Sequence, residues 1–275
     1  MPGYHTLIAA SELRALLGAG GPVCMLDCRF DLAAPGAGFA AYKDAHIPGA
    51  HYAHLDDDLS GPARPGFGGR HPLPDEPTWR ARMAGWAITP ETQVVAYDAT
   101  GGCFAARAWW LLRHYGHPQV AVLDVGWAAW SEPAAPAPAQ NLAVDASPSS
   151  AVVRWANQQP DWFLVDARDP PRYRGELEPI DPVAGHIPGA VNHPWKENLT
   201  PDGRFLPAPV LRERWLARLG GAAPDRVVCY CGSGVTACHN LLALEIAGLA
   251  GANLYAGSWS EYCADTSRPT AQGDA

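Results

Sequence analysis

The residues with the clearest chemical potential lie in the stretch CYCGSGVTACHN, at positions 229–240. It places a cysteine at the end of an apolar, β-rich run, before a glycine-rich turn and a helix-length segment. Ligands of open α/β sheets bind beyond the carboxyl ends of the strands, where Cys231 would lie. Gly232 and Gly234 let the backbone curl around the sulfur, and its N–H groups, with the helix N-terminus, would favour a thiolate. The sequence therefore predicts a nucleophilic cysteine at position 231.

Other interpretations of these cysteines compete with a nucleophile. A cysteine can be a small buried apolar residue, and we favour that interpretation for Cys229. Together with Cys238 and His239, Cys229 and Cys231 could bind zinc, although the spacing lacks paired C-x-x-C knuckles. A cysteine phosphatase needs an arginine about six residues after the nucleophile to hold phosphate, and Ala237 stands there. Cys238 fits either core packing or a resolving thiol.

The chain contains an internal duplication. HIPGA occurs at 46–50 and again at 186–190, and VVAYD at 94–98 corresponds to VVCYC at 227–231. Matches in the same order indicate two copies of one domain. In the first copy Asp98 stands where the second has Cys231. The first copy therefore lacks a nucleophile.

Short β-rich runs alternate with helix-length stretches in each half, which predicts an α/β fold with a mostly parallel sheet flanked by helices. The boundaries predicted are a catalytically inactive domain at 1–131, a linker rich in Pro and Ala at 132–150, and a catalytic domain at 151–275. In the helix after the last VVCY, apolar residues from Val235 to Leu249 predict one buried stripe.

Composition limits the classes of function. The 275 residues carry 20 basic and 28 acidic side chains, a formal net charge of −8 that disfavours nucleic-acid binding. The sequence has no apolar run of transmembrane length and no recognisable secretory signal. Seven cysteines, an odd number, favour free thiols in a reducing compartment. We expect a cytoplasmic protein that binds neither nucleic acid nor membrane.

With these motifs the chain resembles the tandem-domain rhodanese sulfurtransferases, and its cysteine loop resembles that of the 3-mercaptopyruvate type. The resemblance implies that the loop binds the substrate, through Gly232, Gly234, Val235, Thr236 and Ala237. It also implies a double displacement in which Cys231 takes sulfur from a small anionic donor as a persulfide and passes it on. The implied acceptors are a thiol, cyanide or a thioredoxin-like protein, and no metal or organic cofactor is needed.

Thiosulfate is the alternative donor, as in the thiosulfate:cyanide members of the family. The resemblance assigns the donor anion to Arg172, whereas Ile180 stands where mercaptopyruvate-type members often carry a second arginine. It also implies a proton relay of Ser233 with His71 and Asp56, the last two assigned to the first domain. A non-catalytic tandem scaffold or a thiol redox sensor is the alternative from another class.

Overall fold

A computed structural model describes residues 3–64, 66–131, 151–155, 158 and 161–274. The chain divides into two compact units. The linker predicted at 132–150 lies outside the described residues, and the domain boundaries predicted around it stay a prediction. In the part of the chain that the structure describes, no helix has the length and apolar character needed to cross a membrane.

The first unit is built on a sheet of five described strands, all paired in parallel in the order β1-β5-β4-β2-β3. The strands are β1 (Leu7–Ile8), β2 (Val23–Asp27), β3 (His51–Tyr52), β4 (Gln93–Tyr97) and β5 (Val120–Leu123).

The second unit repeats this topology, with the strand order β6-β10-β9-β7-β8 and parallel pairing throughout the described sheet. The strands are β6 (Val152–Val153), β7 (Phe163–Asp166), β8 (Val191–Asn192), β9 (Val227–Tyr230) and β10 (Asn253–Tyr255). Equal strand order in both halves confirms the predicted α/β fold and the duplication.

Helices flank both sheets. Helix α4 contacts β4 and β5, and α8 contacts β9 and β10. The described helices are α1 (Ala10–Gly18), α2 (Ala37–Asp44), α3 (Glu76–Gly85), α4 (Ala105–His114), α5 (Trp127–Ser131), α6 (Pro170–Tyr173), α7 (Ala208–Leu219), α8 (Thr236–Ile246) and α9 (Ser258–Tyr262).

Helix α8 differs from the single stripe predicted for it. Every residue from Ala237 to Ile246 is buried, so the helix is enclosed on all sides. The residues buried outside the predicted stripe include the polar side chains of His239, Asn240 and Glu245, which an apolar stripe counted along one face does not predict.

The core of the second unit encloses β9 and so fixes the position of the residue that follows it. Val228 and Tyr230 pack against α9 residues Trp259 and Tyr262. Side chains alternate across a strand, so Val227 and Cys229 point to the opposite face, and both are fully buried. A strand buried on both faces holds the residue after it, Cys231, in a fixed position.

Each of two short segments packs in the unit opposite to the one that surrounds it in the sequence. Gly61–Leu73 clusters with the second unit and Leu199–Phe205 with the first. The Arg70 N–H donates to Oγ of Ser260 at 3.0 Å, and a Cβ on Gly69 would lie 2.3 Å from the carbonyl oxygen of Gly257. This close backbone packing places His71, which the sequence analysis assigned to the first domain, in the second unit.

Candidate active site

Cys231 directly follows β9, and its backbone is fixed on both sides. Its N–H donates to Oγ of Ser258 at 3.1 Å, and its carbonyl accepts the N–H of Trp259 at 3.0 Å. The next carbonyl, of Gly232, accepts the N–H of Ser260 at 3.0 Å. The loop is therefore held against the start of α9, which leaves the thiol little freedom to move.

The Cys231 sulfur accepts a hydrogen bond from the loop that encloses it. The Gly234 N–H lies 3.1 Å from Sγ, and the Gly234 carbonyl accepts a hydrogen bond from the Cys238 thiol at 3.3 Å. Gly234 has a φ of +77°, and a Cβ there would lie 2.4 Å from the carbonyl oxygen of Ala256, so only glycine fits. The Cys238 thiol thus packs in the core and fixes the loop.

The corresponding turn of the first unit, after β4, binds a carboxylate. There the Asp98 carboxylate accepts four backbone N–H groups at 2.8–2.9 Å, from Thr100, Gly102, Phe104 and Ala105. The Asp98 carbonyl accepts the N–H of Trp127, as that of Cys231 accepts the N–H of Trp259. In the first unit the turn after the central strand surrounds a carboxylate with amide donors, and in the second unit the corresponding turn brings the Gly234 amide to the Cys231 sulfur.

Four cysteines away from this loop's sulfur have a raised pKa. Burial raises the pKa of Cys24 to about 12 and the pKa of Cys28, Cys229 and Cys263 above their usual value. Those four thiols therefore resist ionisation at neutral pH. Throughout the described residues, no group of three or more His, Cys, Asp or Glu side chains is placed to hold a metal ion.

Ser233 and His71 come together beside Cys231. Oγ of Ser233, two residues after Cys231, lies 2.6 Å from Nδ1 of His71. Both side chains are about 95% buried. A hydroxyl bonded to an imidazole in a buried site can pass a proton and recover it from the ring.

The remaining predicted residues take different places. Asp56 lies in the first unit and is exposed, and its N–H donates to Nδ1 of His54. Val235 and Ala237 are buried, whereas Thr236, the first residue of α8, is partly exposed. The substrate contacts predicted for these loop residues and the relay role of Asp56 stay predictions.

Arg172, in the short helix α6, is held by two carboxylates. Nε and Nη2 donate to the two carboxylate oxygens of Glu178 at 3.1 and 2.7 Å, and Nη2 lies 3.1 Å from Oδ2 of Asp181. Burial opposes ionisation of Glu178, but hydrogen bonds from Arg172 and from the amides of Asp181 and Ile180 keep its pKa below the usual value. The guanidinium is thus oriented by hydrogen bonds to two carboxylates.

A second arginine, which the sequence analysis did not select, shares this arrangement. Nη1 of Arg70 lies 2.6 Å from Oδ1 of Asp181. A Cβ built on Gly232 would lie 3.1 Å from Nη2 of Arg70 and 3.4 Å from Nη1 of Arg172. Both guanidinium groups therefore lie against Gly232, the residue after Cys231. Arg70 directly precedes His71, and that adjacency is the signal that sequence reasoning could have used.

Comparison with known proteins places this site in a family. The Rhodanese-like domain model matches twice, over residues 9–133 and 151–265. A probable 3-mercaptopyruvate sulfurtransferase of Pseudomonas aeruginosa is 47% identical over 284 aligned residues, and a putative thiosulfate sulfurtransferase of Mycobacterium tuberculosis is 40% identical over 283; both alignments cover 98% of each chain. The solved 3-mercaptopyruvate sulfurtransferase from Leishmania major superposes with a TM-score of 0.79 at 28% identity, covering 95% of this chain and 75% of that one. The chain therefore belongs to the rhodanese-like family, as a tandem-domain sulfurtransferase.

Proposed function

We propose that this sulfurtransferase takes sulfur from 3-mercaptopyruvate onto Cys231 and passes it to a thiol acceptor. The observation that carries the choice of donor is the hydrogen bond between Ser233 and His71, next to the nucleophile. It supplies a proton donor where the leaving group departs.

In the first half-reaction the Cys231 thiolate attacks the sulfur of the donor. An S–S bond forms, the C–S bond of mercaptopyruvate breaks, and its electron pair leaves on the enolate of pyruvate. The Ser233 hydroxyl protonates the enolate and is reprotonated through His71. The outer sulfur keeps its hydrogen, so the products are pyruvate and a Cys231 persulfide.

The two rival donors differ in what their leaving groups need. The enolate of pyruvate is strongly basic and leaves readily only when a proton is delivered to it. Sulfite, the leaving group of thiosulfate, is a stable anion that needs no proton. A buried serine–histidine pair therefore accelerates transfer from mercaptopyruvate and gives no comparable advantage with thiosulfate.

In the second half-reaction an acceptor thiolate attacks the outer sulfur, and the electron pair of the S–S bond returns to Cys231. We infer a small thiol, cyanide or a thioredoxin-like protein as acceptor. All seven cysteines are free thiols, which supports a reducing, cytoplasmic compartment. Arg172 would bind the donor carboxylate, because its guanidinium lies beside Gly232 at the nucleophile.

The test measures steady-state sulfur transfer to cyanide from each donor and examines the resting product by mass spectrometry. We expect a higher kcat/KM with mercaptopyruvate. The peptide containing Cys231 should gain about 32 Da, the mass of one sulfur atom, after exposure to donor alone.

Cys231→Ser should abolish both transfer and the mass gain, and Cys229→Ser, two residues earlier on the buried strand, is the matched control that should keep both. Faster turnover with thiosulfate would overturn the donor in favour of the activity named for the Mycobacterium tuberculosis relative. A mass gain on any other cysteine would overturn Cys231 as the sulfur carrier.

A further inference from the structure

The residues that lead into His71 have little regular structure of their own. Residues 66–70, which we call the glycine segment, lie outside the described helices and strands. Gly68 and Gly69 have φ values of +76° and +69°, in the left-handed region that favours glycine. A glycine backbone loses more conformational entropy on folding than that of any other residue. Contacts with other parts of the chain must therefore hold the glycine segment in place.

The carboxylate of Glu261 supplies one of these contacts. Its Oε2 accepts the N–H of Gly68 at 2.5 Å, and its Oε1 accepts the hydroxyl of Tyr255 at 2.9 Å. Tyr255 is buried, and burial together with the charge of Glu261 raises the pKa of its hydroxyl, which therefore stays protonated at neutral pH. Because each carboxylate oxygen has its own donor, the carboxylate is oriented toward the glycine segment.

Gly257, the residue before α9, gives this carboxylate its room. A Cβ on Gly257 would lie 2.4 Å from the carboxyl carbon of Glu261 and 2.5 and 2.7 Å from its two oxygens. Atoms that are not bonded do not approach so closely, so any larger residue would displace the carboxylate. The carboxylate thus packs directly on the backbone of the turn that begins α9.

The same turn also holds the loop that follows β9. The N–H of Ser260 donates to the carbonyl of Gly232 at 3.0 Å, and Oγ of Ser260 accepts the N–H of Arg70 at 3.0 Å. Ser260 therefore joins the loop after β9 to the glycine segment. Glu261, the next residue, adds a second attachment three residues before His71.

We propose that Glu261 is a positioning residue for sulfur transfer, which holds the glycine segment so that His71 stays hydrogen-bonded to Ser233. The inference rests on the proposed function for the role of that pair in proton transfer. Nδ1 of His71 lies 2.6 Å from Oγ of Ser233, and a displacement of about 1 Å would take the two atoms out of hydrogen-bond range. Because Glu261 acts through His71, its removal should lower kcat with mercaptopyruvate.

The first test compares Glu261→Met with Glu261→Gln. Methionine has a similar length but offers the Gly68 N–H no oxygen. Glutamine keeps an oxygen for that N–H, and its NH2 group can donate to the oxygen of Tyr255. We expect kcat with mercaptopyruvate to fall on the order of tenfold in Glu261→Met and less than about threefold in Glu261→Gln. KM, and kcat with thiosulfate, should change by less than about twofold in both variants.

A double-mutant cycle distinguishes positioning of His71 from general support of the fold. Glu261→Met is repeated in the His71→Ala background, and circular dichroism with a melting curve checks that each variant folds. With His71 absent, Glu261→Met should lower kcat by less than about twofold, because the residue through which it acts is gone. An equal loss in both backgrounds would overturn the proposal, and so would an unchanged kcat in Glu261→Met alone.

Amide hydrogen exchange followed by mass spectrometry tests the same contact without any donor. The peptide that covers residues 66–71 should exchange on the order of tenfold faster in Glu261→Met than in the natural chain. The matched control is Glu213→Met, which removes the same charge from an exposed glutamate of α7 in the same unit. It should change neither exchange nor kcat.

The two measurements separate failure of this inference from failure of the proposed function. Unchanged exchange at residues 66–71 in Glu261→Met, or an equal increase in Glu213→Met, would overturn Glu261 as the residue that holds the glycine segment. If His71→Ala left kcat with mercaptopyruvate unchanged, proton transfer by His71 and Ser233 would fail as a function. Faster exchange in Glu261→Met would in that case still support the structural part of the proposal.

Discussion

The proposed choice of donor depends on the hydroxyl of Ser233. Removing that hydroxyl should therefore affect sulfur transfer from mercaptopyruvate and from thiosulfate differently. In Ser233→Ala we expect kcat with mercaptopyruvate to fall about 100-fold, the usual scale for loss of general acid catalysis. With thiosulfate, whose leaving group needs no proton, kcat should change by less than about threefold. Steady-state assays of both donors on one preparation make the measurement, and His71→Ala should reproduce the pattern.

A serine outside the site controls for nonspecific effects of the substitution. Ser267 is exposed and donates to Oδ1 of Asp265, so Ser267→Ala should leave both donors unaffected. Equal losses with both donors in Ser233→Ala would contradict a proton-transfer role. They would show instead that the Ser233 hydroxyl holds the loop in shape.

At the residue scale, the sequence was informative wherever a residue lies in a local pattern. Cys231 and Ser233 share one strand–turn–helix motif, and Arg172 precedes Glu178 in a motif of the same domain. Arg70 has no such pattern, because its importance arises from contacts with Asp181 and Ser260, which are more than 100 residues away. Pairing of that kind becomes visible only when the chain has folded.

We expect the Asp98 side chain to stabilise the strand–turn–helix element of the first unit, because it is covalently part of the turn whose amides it accepts. The Asp98 carboxylate is fully buried and accepts four amide N–H groups around the start of α4. In Asp98→Asn the side-chain NH2 would face two amide donors and leave them unsatisfied. We expect a loss of about 2–4 kcal/mol in the free energy of unfolding, from urea denaturation followed by circular dichroism.

Asp44→Asn is the matched control, since Asp44 is an exposed aspartate of the same unit at the end of α2. It should change stability by less than about 0.5 kcal/mol. If Asp98→Asn were as stable as that control, the amides would not depend on a charged acceptor. The interpretation of this turn as an anion holder would then fail in both units.

At the element scale, the long buried strands were predictable and the short ones were not. β2, β4, β5, β7, β9 and β10 coincide with the β-rich runs of the sequence. The four other strands have two residues each, too few for any hydrophobic period, and they form because a neighbouring strand offers unpaired hydrogen-bonding groups. The grouping of residues 61–73 with the second unit arises in the same way, from backbone contacts that leave no pattern in the segment itself.

At the scale of the whole molecule, duplication produced two sheets of equal strand order whose central turns now differ in chemistry. One turn carries Asp98, an acceptor for its own amides, and the other carries Cys231, the residue for which we propose sulfur transfer. The shared HIPGA motif stayed structural in both copies: His46 stacks on Tyr42 and His186 on Tyr173, and Nδ1 of each histidine lies 2.7–2.8 Å from the carbonyl oxygen of that tyrosine. The repeat was predictable because both copies kept the HIPGA segment.

The stability of the folded protein in acid should depend on buried histidines that are uncharged in the folded state. Burial lowers the pKa of His193 to about 4, with Arg218 and Arg214 acting in the same direction. Nε2 of His193 lies 3.0 Å from Oδ1 of Asn198. Its Nδ1 is buried, has no hydrogen-bond partner among the described residues, and lies 3.7 Å from the Glu197 carboxylate. Burial likewise lowers the pKa of His114 and His117 in the first unit.

Because the folded pKa of His193 is below its unfolded value of 6.5, its contribution to stability is fully present above pH 6.5. It is lost as the pH falls toward 4, since the unfolded chain then binds a proton that the folded chain excludes. Between pH 7 and pH 5 this amounts to about 2 kcal/mol. His193→Phe removes the titration but keeps a ring against Trp215, and the Trp215 indole still donates to Oδ1 of Asn198. Urea denaturation at both pH values should therefore show a smaller acid loss in His193→Phe than in the natural chain, and an equal loss in the two proteins would show that His193 does not control acid unfolding.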